Sequence, residues 1–430
     1  MDEEPGAEAQ TTSPSAAAEA QGKRRDKRRM LVLLGLALAV GLVCGVLPGL
    51  ASAVAGIGAI IPHDFEAICA SHPAIEDRSG RVIAASGCGL NERASASGCV
   101  AITDARFEEE DVAFPSRHPD RGLAELRGTL SLPREVGARR PAAVLIHGSG
   151  PNCRDQPLAG DLLTRYDPPM PTFRLLAEEL ARQGIVVLRY DKRACHDYGP
   201  DFAARLDPSR LVWSWFTDDA RDALEYLSTR PEVDADRLIV IGHSEGGQLA
   251  PFAAEGDPRV AAVVMLAGTT QRFADGLFGQ LDRFVDHRRS RFDYFTAWAV
   301  ELQYSSLRTC IAQLDRPGYD PDDGCVGGGV TLRALEEYHR YSDRTGEVMR
   351  SLGCPILALQ GNADINIDPE EIPRMQEILR GRDAELHRIH GVSHALTNVL
   401  GPGQPPELDA QVLEVLRAFL ASVKRAPAAE

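Results

Sequence analysis

The sequence predicts an α/β fold in which a mainly parallel sheet carries helices on both faces. From Pro141 onward, short apolar runs rich in β-branched residues alternate with segments of helical periodicity. This alternation is typical of parallel strands joined by crossover helices. The chain has 430 residues, of which 44% are hydrophobic, so it is long enough for one large domain with additions.

The composition also excludes several classes of protein. A net charge of −15 makes nucleic acid an unsuitable partner. The chain has no P-loop, no G-x-G-x-x-G after a strand and no zinc-finger spacing of Cys and His,. Nine cysteines are many for a cytosolic enzyme and favour an oxidising compartment, although buried free thiols are the alternative.

The N-terminal part lies outside the alternating pattern. Residues 1–29 are polar, end in a basic cluster, and are predicted to be disordered and cytoplasmic,. Residues 30–61 carry no charge and are predicted to be a transmembrane anchor or a signal segment, with the rest of the chain on the extracytoplasmic side. We favour the anchor, but Ala51-Ser52-Ala53 resembles a cleavage site, and cleavage would make the protein secreted,.

Residues 62–105 form a small region with three cysteines, Cys69, Cys88 and Cys99. One disulfide among the three is expected, but its pairing cannot be read from the sequence. The main domain is predicted over residues 106–425. It begins with an antiparallel pair of strands at 111–115 and 123–132,.

The main domain then alternates between strands and helices. The predicted strands are 142–146, 185–188, 238–241, 260–266, 355–360 and 384–389, and the predicted helices are 171–183, 218–229, 248–255 and 408–423,. Residues 268–353 interrupt this order with a helix-rich, aromatic insertion. An insertion of this size after a sheet strand is typical of a lid, and we expect its aromatic residues mainly to form its own core.

The stretch around Ser244 has the pattern of a nucleophile elbow. Apolar residues 238–241 lead directly into Gly242-His243-Ser244-Glu245-Gly246, and a helix can follow. This order of strand, sharp turn and helix would present the Ser244 hydroxyl at the carboxyl end of a parallel strand. Ser244 is therefore the predicted nucleophile, with an ordinary glycine-rich turn as the alternative.

A serine nucleophile requires a histidine to accept its proton and a carboxylate to orient that histidine. In this architecture the acid and the histidine follow the serine in that order. Asp364 comes after the strand at 355–360 and His394 after the strand at 384–389, so they are the predicted acid and base. Asp368 is the rival acid and His390 the rival base.

Acyl transfer also requires N–H donors for the negative oxygen of its transition state. One predicted donor is the amide of Glu245, directly after the nucleophile. The second is expected from the loop His147-Gly148-Ser149-Gly150-Pro151, from Ser149 first and Gly150 next. The alternative is a glycine-rich turn without a donor role.

With these residues in place, the chain resembles the α/β-hydrolase superfamily, and more narrowly bacterial serine hydrolases related to dienelactone hydrolase and to the catalytic domain of prolyl oligopeptidase. The resemblance covers about residues 107–423. Three stretches carry it: residues 147–155 after the first parallel strand, Leu188-Arg189-Tyr190-Asp191-Lys192-Arg193 after the second, and residues 218–247 through the elbow.

The resemblance implies hydrolysis of small-molecule carboxylic esters through an acyl-enzyme, with Ser244, His394 and Asp364 as the catalytic triad and with no cofactor or metal. A serine peptidase or a thioesterase on the same fold is an alternative. Peptidases of this kind usually carry a further gating domain, for which residues 1–105 are too short, and this favours the esterase. A membrane-tethered, non-catalytic binding protein on the hydrolase fold is the alternative outside enzymes.

The sequence departs from the family pattern at two loops. Cys153 stands where the family usually has another residue, and Ala194-Cys195 replaces the glycine that usually follows Tyr-Asp-Lys-Arg. Because the resemblance places these loops side by side above the sheet, we expect a disulfide between Cys153 and Cys195. Cys310 and Cys325 in the insertion are a second candidate pair.

Overall fold

The computed structural model describes residues 92–95, 98–101, 106–120, 123–134, 139–160, 165–195, 212–325, 330–398 and 407–425. The predicted segments 1–29 and 30–61 lie outside these ranges, and so do Cys69, Cys88 and the side chain of Cys99. Within the described ranges, no helix combines the length and the apolar character that crossing a bilayer requires.

The elements are numbered here in chain order. The strands are β1 (Glu92–Ser95), β2 (Gly98–Ala101), β3 (Phe107–Asp120), β4 (Leu123–Pro133), β5 (Arg140–Ile146), β6 (Pro157–Gly160), β7 (Arg165–Pro171), β8 (Val186–Tyr190), β9 (Val233–His243), β10 (Val260–Leu266), β11 (Gly324–Cys325), β12 (Val330–Thr331), β13 (Ile356–Gly361) and β14 (Ala384–Ile389). The helices are α1 (Thr172–Arg182), α2 (Trp213–Thr229), α3 (Glu245–Ala254), α4 (Phe273–Ser290), α5 (Tyr294–Ile311), α6 (Leu332–Ser351), α7 (Glu371–Ile378) and α8 (Ala410–Arg425), with a 3₁₀ turn at Ala312–Asp315.

The central sheet has eight strands in the order β14-β13-β10-β9-β5-β8-β4-β3. The five pairings from β14 to β8 are parallel, whereas β4 pairs antiparallel with β8 and β3 antiparallel with β4. The mainly parallel sheet and its antiparallel opening pair are therefore confirmed. The carboxyl ends of six neighbouring parallel strands meet at one edge, which is where sheets of this kind carry their sites.

The central strands carry apolar side chains on both faces, which explains why helices cover both faces of the sheet. In β5, Val144 and Ile146 pack into one core and Ala143 and Leu145 into the other, and all four side chains are buried. Helices α2 and α3 contribute to the first core, and α1 and α8 to the second. Continuous apolar runs of this kind are what strands buried on both faces require.

Helix α2 begins at Trp213, five residues before the predicted start at 218. The carboxylate of Glu337 in α6 accepts a hydrogen bond from the backbone N–H of Ser214 at 2.8 Å. Trp213 is buried against Phe273 and Tyr338. The early start therefore rests on a cap and packing that residues distant in sequence provide, and local sequence patterns do not reveal such contacts.

Helices α4, α5 and α6 form the insertion between β10 and β13. Among its aromatic residues that the structure describes, Phe284 is buried, Phe273 and Phe278 are partly buried and pack against the same core, and Phe292, Tyr294 and Trp298 are exposed. The expectation that the aromatic residues mainly form a core therefore does not hold for the last three. Helix α6 also meets the elbow helix, where the side-chain amide of Gln248 donates to Thr345 Oγ1 at 3.2 Å.

Candidate active site

Ser244 lies at the turn between β9 and α3, in the left-handed region with φ 56°. The turn is tight because the residues two before and two after Ser244 are glycines without a Cβ. A Cβ on Gly242 would lie 1.9 Å from the carbonyl oxygen of Gly246, and a Cβ on Gly246 would lie 2.0 Å from that of Ile146. Both positions therefore require glycine because the backbone segments approach closely, and this explains the two glycines of the G-x-S-x-G pattern.

The structure brings the predicted triad residues together in a continuous chain of hydrogen bonds. His394 Nε2 lies 3.1 Å from Ser244 Oγ, and His394 Nδ1 lies 2.8 Å from Asp364 Oδ2. A carboxylate can only accept here, so Nδ1 carries the proton and Nε2 is left to accept one from the serine hydroxyl. This is the geometry that a general base needs.

The carboxylate of Asp364 is held from its other side. Its Oδ1 accepts hydrogen bonds from the backbone N–H of Asn366 at 2.7 Å and of Ile367 at 3.2 Å. The side chain is fully buried. A carboxylate fixed by two amides keeps its second oxygen aimed at the imidazole, so the orientation of His394 is set in advance.

The rival acid and base lie elsewhere. Asp368 forms an ion pair with Arg374 and accepts from the backbone N–H of Glu370. His390 Nδ1 pairs with the side-chain amide of Asn362 at 3.0 Å. Among the described residues, neither rival forms a hydrogen bond with Ser244, so the geometry favours Asp364 and His394 over them.

The loop after β5 lies directly against the elbow. A Cβ on Gly148 would lie 3.2 Å from the Cβ of Ser244. Ser149 Oγ donates to Glu245 Oε2 at 3.1 Å, and Gly150 is in the left-handed region with φ 99°. No described residue accepts a hydrogen bond from the amide of Ser149 or of Glu245. The two predicted donor residues are thus adjacent, with N–H groups that the described residues leave unused.

Three hydrogen bonds connect this loop to the base. The backbone N–H of Gly148 donates to Gln156 Oε1, Gln156 Nε2 donates to His243 Nδ1, and His243 Nε2 donates to the carbonyl of His394, each at 2.8 Å. Because a carbonyl only accepts, His243 must carry its proton on Nε2. Burial, followed by the nearby His394, lowers the pKa of His243 to about 3, so this ring is neutral,.

A second buried histidine, His147, begins the loop after β5. Burial and the positive charge of Lys192 lower its pKa to about 3, against a smaller opposing effect of the Cys153 backbone. Its ring packs against the rings of Phe173 and Tyr190, and neither ring nitrogen makes a hydrogen bond of standard geometry. This histidine therefore behaves as a neutral core side chain.

The disulfide between Cys153 and Cys195 is confirmed, with the two Cα atoms 4.9 Å apart. It joins the loop after β5 to the loop after β8. Cys310 also takes part in a disulfide, whereas the side chain of Cys325 lies outside the described part of the chain. Cys354 is free.

The same loops contain one group of potential metal ligands among the described residues, namely Cys153, Asp191 and Cys195. The two sulfur atoms are bonded to each other, and Asp191 forms an ion pair with Arg154 at 2.6 Å. A metal would need thiolates and a free carboxylate. This cluster is therefore a structural brace.

A side chain of the insertion binds the loop that contains Asp364. Arg283 in α4 donates from Nε to the carbonyl of Ile365 at 2.9 Å and from Nη2 to that of Asn366 at 2.8 Å. These residues directly follow Asp364. Partial burial lowers the pKa of Arg283, and the two carbonyls supply acceptors for its partly buried guanidinium,.

Sequence reasoning missed Gln156, His243, Lys192 and Arg283 as parts of this site. His243 and Lys192 lie within stretches that carried the family resemblance, so position in a motif was an available signal. Gln156 has φ 44° and full burial, and Arg283 lies in a helix with no local marker. Their contacts join segments far apart in sequence, which no local pattern reports.

Comparison with known proteins gives one family and several relatives. The family described as serine aminopeptidase, S33 matches residues 170–398, just over half of the chain. Esterase EstD of Thermotoga maritima is 26% identical over 303 residues, which are 70% of this chain and 63% of that protein. The match therefore spans less than two thirds of the relative's length.

Two solved structures are also similar to this chain. Est1E from Butyrivibrio proteoclasticus is 15% identical with a TM-score of 0.44, covering 73% of this chain and 98% of that one. The acylaminoacyl peptidase of Pyrococcus horikoshii is 15% identical with a TM-score of 0.48, covering 76% of this chain and 44% of that one.

Proposed function

Because the chain belongs to the serine hydrolase family described as serine aminopeptidase, S33, we propose that it hydrolyses carboxylic esters through an acyl-enzyme. The observation that carries this proposal is the hydrogen-bond chain from Ser244 Oγ through His394 to Asp364, with distances of 3.1 Å and 2.8 Å. It links a nucleophile, a base and an orienting acid in the order that acyl transfer requires.

In the first half-reaction, Ser244 Oγ attacks the ester carbonyl carbon while His394 Nε2 takes the hydroxyl proton. The carbonyl oxygen becomes negative and is stabilised by the amides of Ser149 and Glu245, with Gly150 as the other donor candidate. The tetrahedral intermediate then collapses, the C–O bond to the alcohol breaks, and His394 returns its proton to the leaving alcohol.

In the second half-reaction, water replaces the alcohol. His394 takes a proton from water, the resulting hydroxide attacks the acyl carbon, and the bond to Ser244 Oγ breaks as the serine recovers its proton. The products are the acid and the free enzyme. Asp364 remains ionised throughout and stabilises the imidazolium.

The family description names an aminopeptidase, but one feature favours esters for this chain. An aminopeptidase needs a free carboxylate near the nucleophile to bind the substrate's α-ammonium group. The acidic side chain next to Ser244 is Glu245, and its two oxygens are already bound to Lys192 and to Ser149 Oγ. Peptidase and thioesterase activities are therefore the alternatives to be measured beside esterase activity.

The proposed location is outside the cytoplasm, with the catalytic domain anchored to a membrane by residues 30–61 or secreted after their removal. The Cys153–Cys195 disulfide supports this, because such bonds persist in oxidising compartments,. The mass of the mature protein from membrane and medium fractions tests it. An intact chain in the membrane fraction indicates an anchor, and a chain beginning near Ala53 in the medium indicates a signal peptide.

Labelling with a fluorophosphonate tests the activity. The full chain should form a phosphonyl adduct that mass spectrometry locates on Ser244, and Ser244→Ala should form none. Turnover of p-nitrophenyl esters of graded chain length, set beside aminoacyl p-nitroanilides and acyl thioesters, then identifies the substrate class. A folded protein that neither labels nor turns over any of them would support the non-catalytic binding protein instead.

A further inference from the structure

The side chain of Lys192 connects the two predicted oxyanion donors. We propose that Lys192 is a positioning residue that fixes the amides of Ser149 and Glu245 toward the oxygen of the carbonyl group attacked by Ser244. This inference rests on the proposed serine hydrolase function and adds to it a residue that touches neither the substrate nor the triad.

Lys192 follows β8 and its side chain is buried. Nζ donates a hydrogen bond to the carbonyl oxygen of Gly148 at 2.9 Å and another to Glu245 Oε1 at 2.8 Å. It also lies 4.2 Å from the centre of the Phe216 ring. An ammonium group has three N–H donors, so these contacts occupy it fully.

The bond to Gly148 fixes the donor of Ser149 through the peptide plane. The carbonyl of Gly148 and the N–H of Ser149 belong to one planar trans peptide group, so they point in opposite directions. Asn152 Nδ2 donates to the same carbonyl at 3.0 Å. With its oxygen held from two directions, this peptide group cannot rotate, and its N–H keeps a single direction.

The positive charge also strengthens that donor. A charge-assisted hydrogen bond to a carbonyl oxygen polarises the peptide group and makes its N–H a better donor. In a buried site this polarisation is screened little by solvent. Lys192 thus acts on the Ser149 amide in two ways, by direction and by polarity.

The bond to Glu245 fixes the other donor. Glu245 begins α3, and its Oε2 accepts from Ser149 Oγ at 3.1 Å. Lys192, Gly148, Ser149 and Glu245 therefore form a closed ring of contacts between the loop after β5 and the elbow after β9. This ring sets the distance between two amides that different strands carry.

Lysine is rare among the basic residues of this chain, and position 192 holds one. The chain has 47 basic residues, and all are arginine except Lys23, Lys27, Lys192 and Lys424. A planar guanidinium suits flat, paired acceptors, whereas a compact ammonium can meet a carbonyl, a carboxylate and a ring in three directions. The geometry around residue 192 is of the second kind.

The test compares Lys192→Met with the wild-type full chain. We expect kcat for a p-nitrophenyl ester to fall by about 10- to 100-fold, less than the loss of a whole oxyanion donor, while KM changes by less than about threefold. The affinity of an alkyl boronic acid, whose adduct with serine is tetrahedral, should fall by the same factor as kcat/KM. A purely structural role would lower thermal stability without this parallel.

Two further variants keep the test decisive. Asn152→Ala removes the other donor to the Gly148 carbonyl without leaving a buried charge unpaired, and should lower kcat severalfold with KM unchanged, even if Lys192→Met does not fold. Arg237→Met is the control, because it also replaces a basic side chain by methionine but removes an ion pair with Asp234 in the N-terminal half of β9, and it should retain kcat within about twofold.

The outcomes separate the two proposals. If the wild-type chain neither labels at Ser244 nor turns over esters, the proposed function fails and the role of Lys192 fails with it. If the wild type is active but Lys192→Met and Asn152→Ala keep its kcat and its boronate affinity, only the positioning role is overturned.

Discussion

His243 Nε2 donates a hydrogen bond to the backbone carbonyl of His394 at 2.8 Å. His243 precedes the predicted nucleophile Ser244 and thereby holds the loop that contains the predicted base, His394. Because Gln156 links the other ring nitrogen of His243 to the backbone N–H of Gly148, the oxyanion loop and the base are parts of one network. Its hydrogen bonds are buried, so each broken one leaves a polar group unsatisfied.

Gln156→Leu should break this network at its centre. The backbone N–H of Gly148 and His243 Nδ1 would both lose their partners, and kcat for an ester should fall by about tenfold with a small change in KM, since each unsatisfied group costs ~1–3 kcal/mol. Steady-state kinetics measure this. Gln183→Leu, which removes a part-buried bond to Glu179 at the end of α1, is the matched control, and an equal loss in both variants would contradict the prediction.

Asp364→Asn should lower kcat by about 10⁴-fold while the fold is kept. The amide can donate to His394 Nδ1 and so stabilise the wrong tautomer, in which Nε2 carries a proton and cannot accept one from Ser244. Kinetics at neutral pH test this. Asp368→Asn, at the rival acid, should keep most of the activity, and the reverse ranking of the two variants would assign the acid to Asp368.

Arg283→Met should loosen the acid loop. The variant loses two hydrogen bonds to the carbonyls of Ile365 and Asn366, so Tm should fall by several degrees and kcat by severalfold. Differential scanning calorimetry and ester kinetics measure the two effects. Arg380→Met, whose ion pair with Glu377 is exposed, should change neither, because exposed ion pairs contribute little.

The two buried histidines should make the protein less stable in acid. His147 and His243 stay neutral in the fold because their pKa values are lowered to about 3, whereas in the unfolded chain they bind protons below about pH 6.5. Between these limits the unfolded state holds more protons, so the free energy of unfolding falls by about 1.4 kcal/mol per pH unit for each histidine as pH decreases.

Urea denaturation at several pH values between 7 and 4 checks this. His147→Phe keeps an aromatic ring between Phe173 and Tyr190 but removes one titrating group, so its stability should depend less steeply on pH by about 1.4 kcal/mol per unit. Equal slopes for the variant and the wild type would show that His147 is not the group responsible.

Replacing both Cys153 and Cys195 by alanine should lower the free energy of unfolding by about 2–4 kcal/mol. The disulfide closes a loop between residues 42 apart, and removing it restores conformational freedom to the unfolded chain. Denaturation of the oxidised wild type and of the variant measures the difference. The reduced wild type should behave like the variant, and a reduced protein as stable as the oxidised one would contradict the prediction.

The sequence predicts those parts of the fold that depend on local pattern. Most parallel strands were placed within two residues where apolar runs are continuous, as at Val260–Leu266, but β9 begins at Val233, five residues before the predicted start at 238. Ser244, Asp364 and His394 could be proposed because each follows directly after such a strand. The start of α2 at Trp213 could not, because a carboxylate from α6 caps it.

The sequence also did not predict the contacts that support the site. Gln156 and Arg283 each join two segments that are far apart in the chain, and nothing in their immediate neighbours distinguishes them from surface residues. Lys192 stands in a stretch that carried the family resemblance, but its contacts with Gly148 and Glu245 also join distant segments. The strands β6 and β7 were missed for a related reason. Within the described part of the chain they pair with each other and with no other strand, and Arg165–Pro171 contains three prolines and lacks the alternation typical of a strand,.

The hydrogen bonds from Arg283 to the loop after Asp364 restrict how chimeras of this domain can be built. An insertion taken from a relative and grafted between β10 and β13 would have to bring a donor to the carbonyls of Ile365 and Asn366. A graft without one would leave the hydrolase framework intact and yet release the loop that carries Asp364. The helical insertion is therefore not an interchangeable module, and swaps that aim at new substrates should keep the first turns of α4 through Arg283 with the host domain.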